Sequence, residues 1–257
     1  MRVFSGALVF VALSFCRVPR AWAQINVERL RDDLRLSPAL ASLEGSFTGR
    51  TGNVESLVVG AGAMGAARWR RNSFFASTQA DYARFGSETR VSKSFIHLRY
   101  DYDLLPWLAA EAFVQQQQDK FQRLNLRELI GTGPRFLIAD ERDVRVAYGM
   151  AYMLEYERIA VPAGAPDDPV VVAHRWSNYL TATWQMDSRV RLVGTTYLQP
   201  RFDAFGDFRV LFESALTTEI AKRLAVKVLV TVRYDSRPPT DVKPTDAEIK
   251  NSIVVTF

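Results

Sequence analysis

Residues 245–257 alternate strictly enough to fix how the chain ends. Ala247, Ile249, Asn251, Ile253, Val255 and Phe257 fall on one side; Asp246, Glu248, Lys250, Ser252, Val254 and Thr256 fall on the other. A period of two places successive side chains on opposite faces of a strand, so this strand has one apolar and one polar face. A strand that ends a chain ordinarily lies at a sheet edge, where unpaired ladder groups template aggregation. Closing the sheet into a barrel removes that edge.

The chain from Leu40 onward divides into about a dozen alternating segments, each near the ~9 to 11 residues that a tilted strand needs to cross a bilayer. Ile96, Leu98, Tyr100 and Tyr102 alternate with His97, Arg99 and Asp101. Leu108, Ala110, Ala112 and Val114 return against Glu111, Phe113, Gln115 and Gln117. Val144 to Tyr156 carries an unbroken apolar face opposite Arg145, Ala147, Gly149, Ala151, Met153 and Glu155. The hairpin from Phe208 to Asp235 sets Phe208, Val210, Phe212, Val228, Val230 and Tyr234 against Arg209, Glu213, Glu219, Lys227, Arg233 and Asp235.

A soluble sandwich alternates too, with its apolar face inside. Segment length favours the inverted arrangement, as do Trp69, Tyr102, Trp107, Trp184, Tyr234 and Phe257, which fall near segment ends where interfacial girdles sit. Short turns at 70–72, 103–106, 140–143, 186–189 and 221–223 interleave with longer polar stretches around Gly86, Lys120, 162–168, 203–207 and 236–244. The expected fold is all-β: a transmembrane, antiparallel, up-and-down barrel of about 12 strands. Leu57 to Trp69, almost all small or apolar, and Leu126 to Phe136, interrupted by Pro134, leave their faces unassigned.

Residues 1–23 carry the marks of a secretory signal: Arg2, an apolar run from Val3 to Cys16, and Ala21-Trp22-Ala23 before the expected cleavage. The signal holds Arg2, Arg17 and Arg20 and no acids, so 33 basic residues fall to 30 against 28 acidic ones, and +5 becomes +2. That balance gives no reason to expect nucleic acid. The single cysteine leaves with the signal, which removes thiol chemistry and thiolate metal ligation. Residues 24–38 read as a short amphipathic helical segment, Ile25, Leu30 and Leu34 lying among charges, either a free tail or an element packed in a barrel mouth. The barrel is assigned to residues 39–257.

Val58-Val59-Gly60-Ala61-Gly62-Ala63-Met64-Gly65 matches a dinucleotide-binding fingerprint, with Asp81 near the expected acid position. That site needs a helix opening at the last glycine. Here the chain turns at residues 70–72 and alternates again from Ser73, so a small-residue strand is expected. His97 and His174 are the only histidines. His97 shares a polar face with Arg99 and Asp101, which suits a satisfied lumenal side chain better than a catalytic pair with Ser94 on the opposite face. Asp167-Asp168 reads as a solvated loop tip, and neither metal nor cofactor is implied.

Lys93 to Tyr102, Glu111-Ala112-Phe113, Asp119-Lys120-Phe121, Tyr197 to Arg201 and Arg233 to Pro239 together resemble the bacterial outer-membrane proteins described as salt-induced and grouped as domain of unknown function 481 (DUF481). The resemblance implies an outer-membrane barrel and supplies no activity. The 159–173 connection and Pro134 depart from the family's pattern. The terminal strand ending in Phe257 also resembles the assembly signal of bacterial outer-membrane barrels, which implies the barrel-assembly machinery and outer-membrane lipid as partners.

The functional expectation is a structural or narrow-channel envelope barrel, open at most to small solutes. Its charge-paired lumen is lined by His97, Arg99, Asp101, Glu111, Arg145, Arg209, Glu213, Glu219, Lys227, Arg233 and Asp235. Two registers of the last hairpin but one both pair opposite charges. Centred near Arg223, Glu213 meets Arg233 and Glu219 meets Lys227; centred near Lys222, Arg209 meets Asp235. A lipid-acting enzyme using His97 and a soluble periplasmic binding protein are the alternatives.

Overall fold

The computed structural model describes residues 28–35, 37–50, 56–85, 88–89, 93–120 and 123–257. The signal at 1–23, the start of the amphipathic segment and the stretch around Gly86 lie outside them. Twelve long antiparallel strands form the wall: β1(Ala39–Arg50), β2(Ser56–Trp69), β3(Asn72–Phe85), β5(Lys93–Leu105), β6(Leu108–Asp119), β7(Leu124–Asp140), β8(Val144–Ile159), β9(Val170–Gln185), β10(Val190–Pro200), β11(Phe208–Ala221), β12(Leu224–Asp235) and β13(Thr245–Thr256). A two-residue strand, β4(Glu88–Thr89), extends the hairpin above β3. Each wall strand pairs with its sequence neighbours, and β13 pairs with β1, so the sheet closes on itself. This is the closed, transmembrane-type barrel that the alternation predicts, and it excludes the soluble sandwich.

Closure is made by backbone. Phe257 N donates to Ala41 O at 2.8 Å, and Ser42 through Gly45 pair with Thr256 through Ile253. In a membrane no water is present to satisfy a free strand edge, which makes that closure obligatory. The outer face is mostly apolar: Ile96 and Leu98, Val114, Ile130, Tyr152, Leu180 and Ile249 are exposed, whereas His97, Arg99, Glu111 and Thr181 between or beside them are buried. Trp69, Tyr102, Trp107, Trp184 and Phe257 stand exposed at the short-turn rim, where an aromatic girdle belongs.

Both strands whose faces could not be assigned are now placed. In β2, Gly60, Gly62, Met64 and Ala66 share the inner face with Asp81, Gln79, Ser77 and Phe75 of β3, and no helix follows Gly65. The fingerprint is therefore a strand. β7 runs 17 residues through Pro134, which pairs with Ala110 of β6, while the ladder to β8 skips from Thr132 to Arg135. The missing proline N–H is confined to one side of the strand.

Over the opposite mouth the long loops bond to one another. Thr240 N donates to both carboxylate oxygens of Asp167, at 3.2 and 3.1 Å, and Arg123 reaches Thr240 O at 3.0 Å. Asp167 is thus a loop brace rather than a solvated tip. Arg201 donates to Asp203 at 2.7 Å in the next loop, and this hydrogen bond holds the Asp203 carboxyl below the usual carboxylate range.

Phe257 is exposed on the outer wall, so losing it removes about 1.5 to 3 kcal/mol of burial in lipid, while the deletion also removes the backbone groups paired with Ala41. Deletion of Phe257 is expected to reduce heat-modifiable barrel in the outer-membrane fraction several-fold, while lowering the thermal midpoint of detergent-refolded protein by no more than about 10 °C. Normal insertion in cells would refute a role for Phe257 in assembly.

Candidate functional site in the barrel lumen

A helix, α1(Glu28–Asp33), enters the short-turn mouth. Leu30 and Leu34 are buried against Ala66 and Phe75, so the amphipathic segment packs inside the mouth. Its polar side meets an electrostatic problem in the wall. Asp101 of β5 and Glu111 of β6 are direct cross-strand partners, and like charges directly opposite destabilise a sheet. Arg31 bonds to both, to Asp101 and to Glu111 at 3.2 Å. Arg99 and Arg135 approach the same Glu111 oxygen at 3.5 and 3.6 Å, and the Tyr179 hydroxyl donates to Glu111 at 2.7 Å from β9, three strands away.

Glycines make room for that reach. Gly149 pairs with Tyr179, and a Cβ there would sit 2.1 Å from the tyrosine ring; Gly131 likewise pairs with Phe113, 2.4 Å from where its Cβ would be. The aromatic rings cover the bare backbone, the arrangement by which glycines in sheets are compensated. Arg99 lies over both rings, 5.7 Å from Phe113 and 5.5 Å from Tyr179, within cation–π range.

Further along the lumen, His97 is fully buried between Phe95 and Phe113, with ring centroids 6.1 and 6.0 Å away. Ser77 and Gln115 are its cross-strand neighbours, and among the described residues neither ring nitrogen has a partner in hydrogen-bonding geometry. His174 is on the outer wall, bonded to the Tyr152 hydroxyl at 2.5 Å.

Toward the long loops a second network crosses the barrel. Arg209 of β11 donates to Glu155 at 2.5 Å and Glu157 at 2.8 Å on β8, and to Asp235 at 2.8 Å on β12. Arg175 of β9 is buried between Glu155, at 3.2 Å, and Asp207, at 3.1 Å, while Arg127 of β7 meets Glu157 at 2.8 Å. Along the closing seam Lys227 reaches Glu44 of β1 and Lys250 reaches Asp81 at 3.5 Å, and at the long-loop end of the β5–β6 hairpin Lys93 pairs with Asp119 at 3.3 Å. Lumenal cavities beside these networks hold about 100 Å³ toward the long loops and about 80 Å³ along the seam.

Of the residues expected to line the lumen, His97, Arg99, Asp101, Glu111, Arg209, Glu213, Lys227, Arg233 and Asp235 all point inward and are buried or half-buried. Arg145 is at the short-turn end, bonded to Asp140 at 2.9 Å. Glu219 has the inward parity but is exposed at a β-bulge beside the turn, so it contributes little to the interior.

The β11–β12 register is the one centred near Lys222: Arg209 faces Asp235, Glu213 faces Thr231, and Lys227 faces Thr217. The Glu213–Arg233 and Glu219–Lys227 pairs of the other register do not form. Arg233 lies 3.9 Å from Asp246, its partner in the β12–β13 ladder, and among the described residues Glu213 Oε2 has no hydrogen-bond partner.

Sequence reasoning overlooked Arg31, Arg127, Arg135, Arg175, Glu157, Tyr179 and Asp207. The signal available for most of them was parity: Glu157, Arg175 and Tyr179 continue inward sets whose neighbours were already polar. No group of three metal-ligating side chains occurs among the described residues.

The family model for the protein of unknown function DUF481 matches residues 43–257. The chain belongs to the DUF481 family. None of the functionally curated proteins matches this DUF481 chain. Among solved structures, the translocator domain of the autotransporter NalP from Neisseria meningitidis aligns with a TM-score of 0.50 at 10% identity, over 90% of this chain and 92% of that one. The NanC porin aligns at 0.47 and 10% identity, over 84% and 97% of the two chains. LpxR from Salmonella typhimurium aligns at 0.44 and 7% identity, over 85% and 99%. The NalP likeness shows a shared barrel fold.

Burial separates the ion pairs energetically. Removing one partner of a buried pair costs about 3 to 5 kcal/mol because a charge is stranded, whereas an exposed pair is worth about 0 to 1 kcal/mol. Glu155→Gln, which leaves buried Arg175 and half-buried Arg209 short of a carboxylate, is expected to destabilise the detergent-solubilised barrel by about 3 kcal/mol. Asp140→Asn, at the exposed Arg35 pair, should cost under about 1 kcal/mol in the same denaturant titration.

Proposed function

We propose that this protein is an integral outer-membrane barrel serving the envelope as a structural element, with a lumen that passes water and the smallest ions at most. The observation that supports this most directly is the pair of networks that tie non-adjacent strands together across the lumen, Tyr179 to Glu111 and Arg209 to Glu155 and Glu157. Each joins strands three apart in the sheet. A pore selects anions through a ring of unpaired cations. In this lumen most cations already meet carboxylates, and the space between them is about the size of a few water molecules.

In this reading the signal at 1–23 is cleaved near Ala23, the short turns and Phe257 face the periplasm, and the braced long loops face outward. Phe257 presents the terminal strand to the barrel-assembly machinery, and outer-membrane lipid covers the apolar wall. Catalysis by His97 is left out because the ring is fully buried between two phenylalanines, with no nucleophile bonded to it.

In planar bilayers the wild type is expected to show little conductance or brief small openings. Arg31→Ala combined with Arg209→Ala, which removes a cross-lumen tie from each half, should raise it. A large, steady conductance in the wild type would overturn the closed-lumen reading. Strong anion selectivity abolished by Arg233→Ala would instead establish a dedicated anion pore.

A further inference from the structure

The short-turn mouth holds a cavity of about 380 Å³ between α1, the β2–β3 turn, the β5–β6 turn and β7. Six guanidinium groups line it, from Arg31, Arg35, Arg68, Arg70, Arg71 and Arg135, and Asp103 is the one carboxylate lining it among the described residues. From this cavity we propose a binding site for a phosphoryl anion carried on an amphipathic molecule, the chemistry of an anionic phospholipid headgroup.

Four of the six lining arginines have a carboxylate partner, and the two at the turn tip have none among the described residues. Asp103 answers Arg68 at 2.7 Å, and Asp140 answers Arg35 at 3.0 Å but also bonds Arg145. Asp101 and Glu111 answer Arg31, while Glu111 is shared with Arg99 and Arg135. Arg70 and Arg71, at the tip of the β2–β3 turn, meet no carboxylate among the described residues, and Arg70 lies over the Trp69 ring at 5.0 Å. Planar guanidinium forks match phosphate oxygens in bidentate geometry and hold their charge at any accessible pH. Among the described residues the lining cations are all arginine.

The apolar side of the cavity says what the phosphate is attached to. Leu104, Leu105 and Trp107 line it and are also exposed on the rim, beside the outward apolar wall and within the same aromatic girdle as Trp69. A headgroup seated among the arginines would leave its apolar remainder along that wall. Soluble phosphate offers the same headgroup chemistry without the apolar remainder, and the two sources separate experimentally. The site does not depend on whether the lumen conducts.

The test uses the full chain purified in a nonionic detergent, with heat-modifiable mobility as the check that each variant is folded. Tryptophan fluorescence and the thermal midpoint are followed while phosphatidylglycerol, phosphatidylcholine or inorganic phosphate is added. Saturable binding of phosphatidylglycerol at least ~10-fold tighter than phosphatidylcholine, weakened by salt, is expected. The Arg70→Gln/Arg71→Gln variant should weaken it ~10-fold or more, about one decade per 1.4 kcal/mol, and Lys243→Gln at the opposite mouth should not.

Tight binding of inorganic phosphate with the same variant dependence would assign the site to a soluble phosphate. Equal responses to the two lipids with no response to phosphate would overturn the proposal. So would binding that survives Arg70→Gln/Arg71→Gln, or binding that falls equally with Lys243→Gln.

Discussion

Everything in this molecule follows from the requirement that β13 meet β1. A strand edge in a bilayer has no water to satisfy it, and the Phe257–Ala41 and Ser42–Thr256 pairing supplies the missing partners. Once the sheet is closed, one face of every strand has to turn inward. In a barrel of twelve strands the inward space is narrow, and long side chains from opposite walls meet in it. A charge there is taken partly out of water and costs several kcal/mol unless a partner is within reach. Closure and charge pairing are therefore one constraint seen from two sides.

The Asp101–Glu111 pair shows how tightly the two are coupled. Backbone register places these carboxylates opposite each other, so the wall alone carries a repulsion. Part of the relief comes from Arg31, which lies outside the barrel sequence on α1, and part from Arg99, Arg135 and the Tyr179 hydroxyl. The helix is thereby bound to the wall by charge as well as by Leu30 and Leu34. Asp33 adds a third tie, to Arg191 at 2.7 Å. The reach of Tyr179 depends in turn on Gly149, because any larger residue would occupy the volume of the ring. Packing and electrostatics are satisfied by the same few positions.

The sequence by itself determined the closed barrel, the inward and outward parity of most strands, and the alternation of short turns with long loops. Those properties are local: a period of two is carried by neighbouring residues, and a turn by three or four. It left two registers open for the last hairpin but one, since both keep the apolar faces aligned and both pair opposite charges. The choice between them was tertiary, since Lys227 takes Glu44 on β1 and Arg233 faces Asp246 on β13, and neither of those strands belongs to that hairpin.

The same distinction explains what went unread. In β2 both faces are small, so periodicity had no contrast to report. Arg175 and Asp207, or Arg209 and Glu157, are joined across curvature that a linear pattern does not encode. Parity says which side chains enter the lumen. Which of them touch depends on strand tilt and stagger around the closed sheet, and that is decided only when all twelve strands are in place.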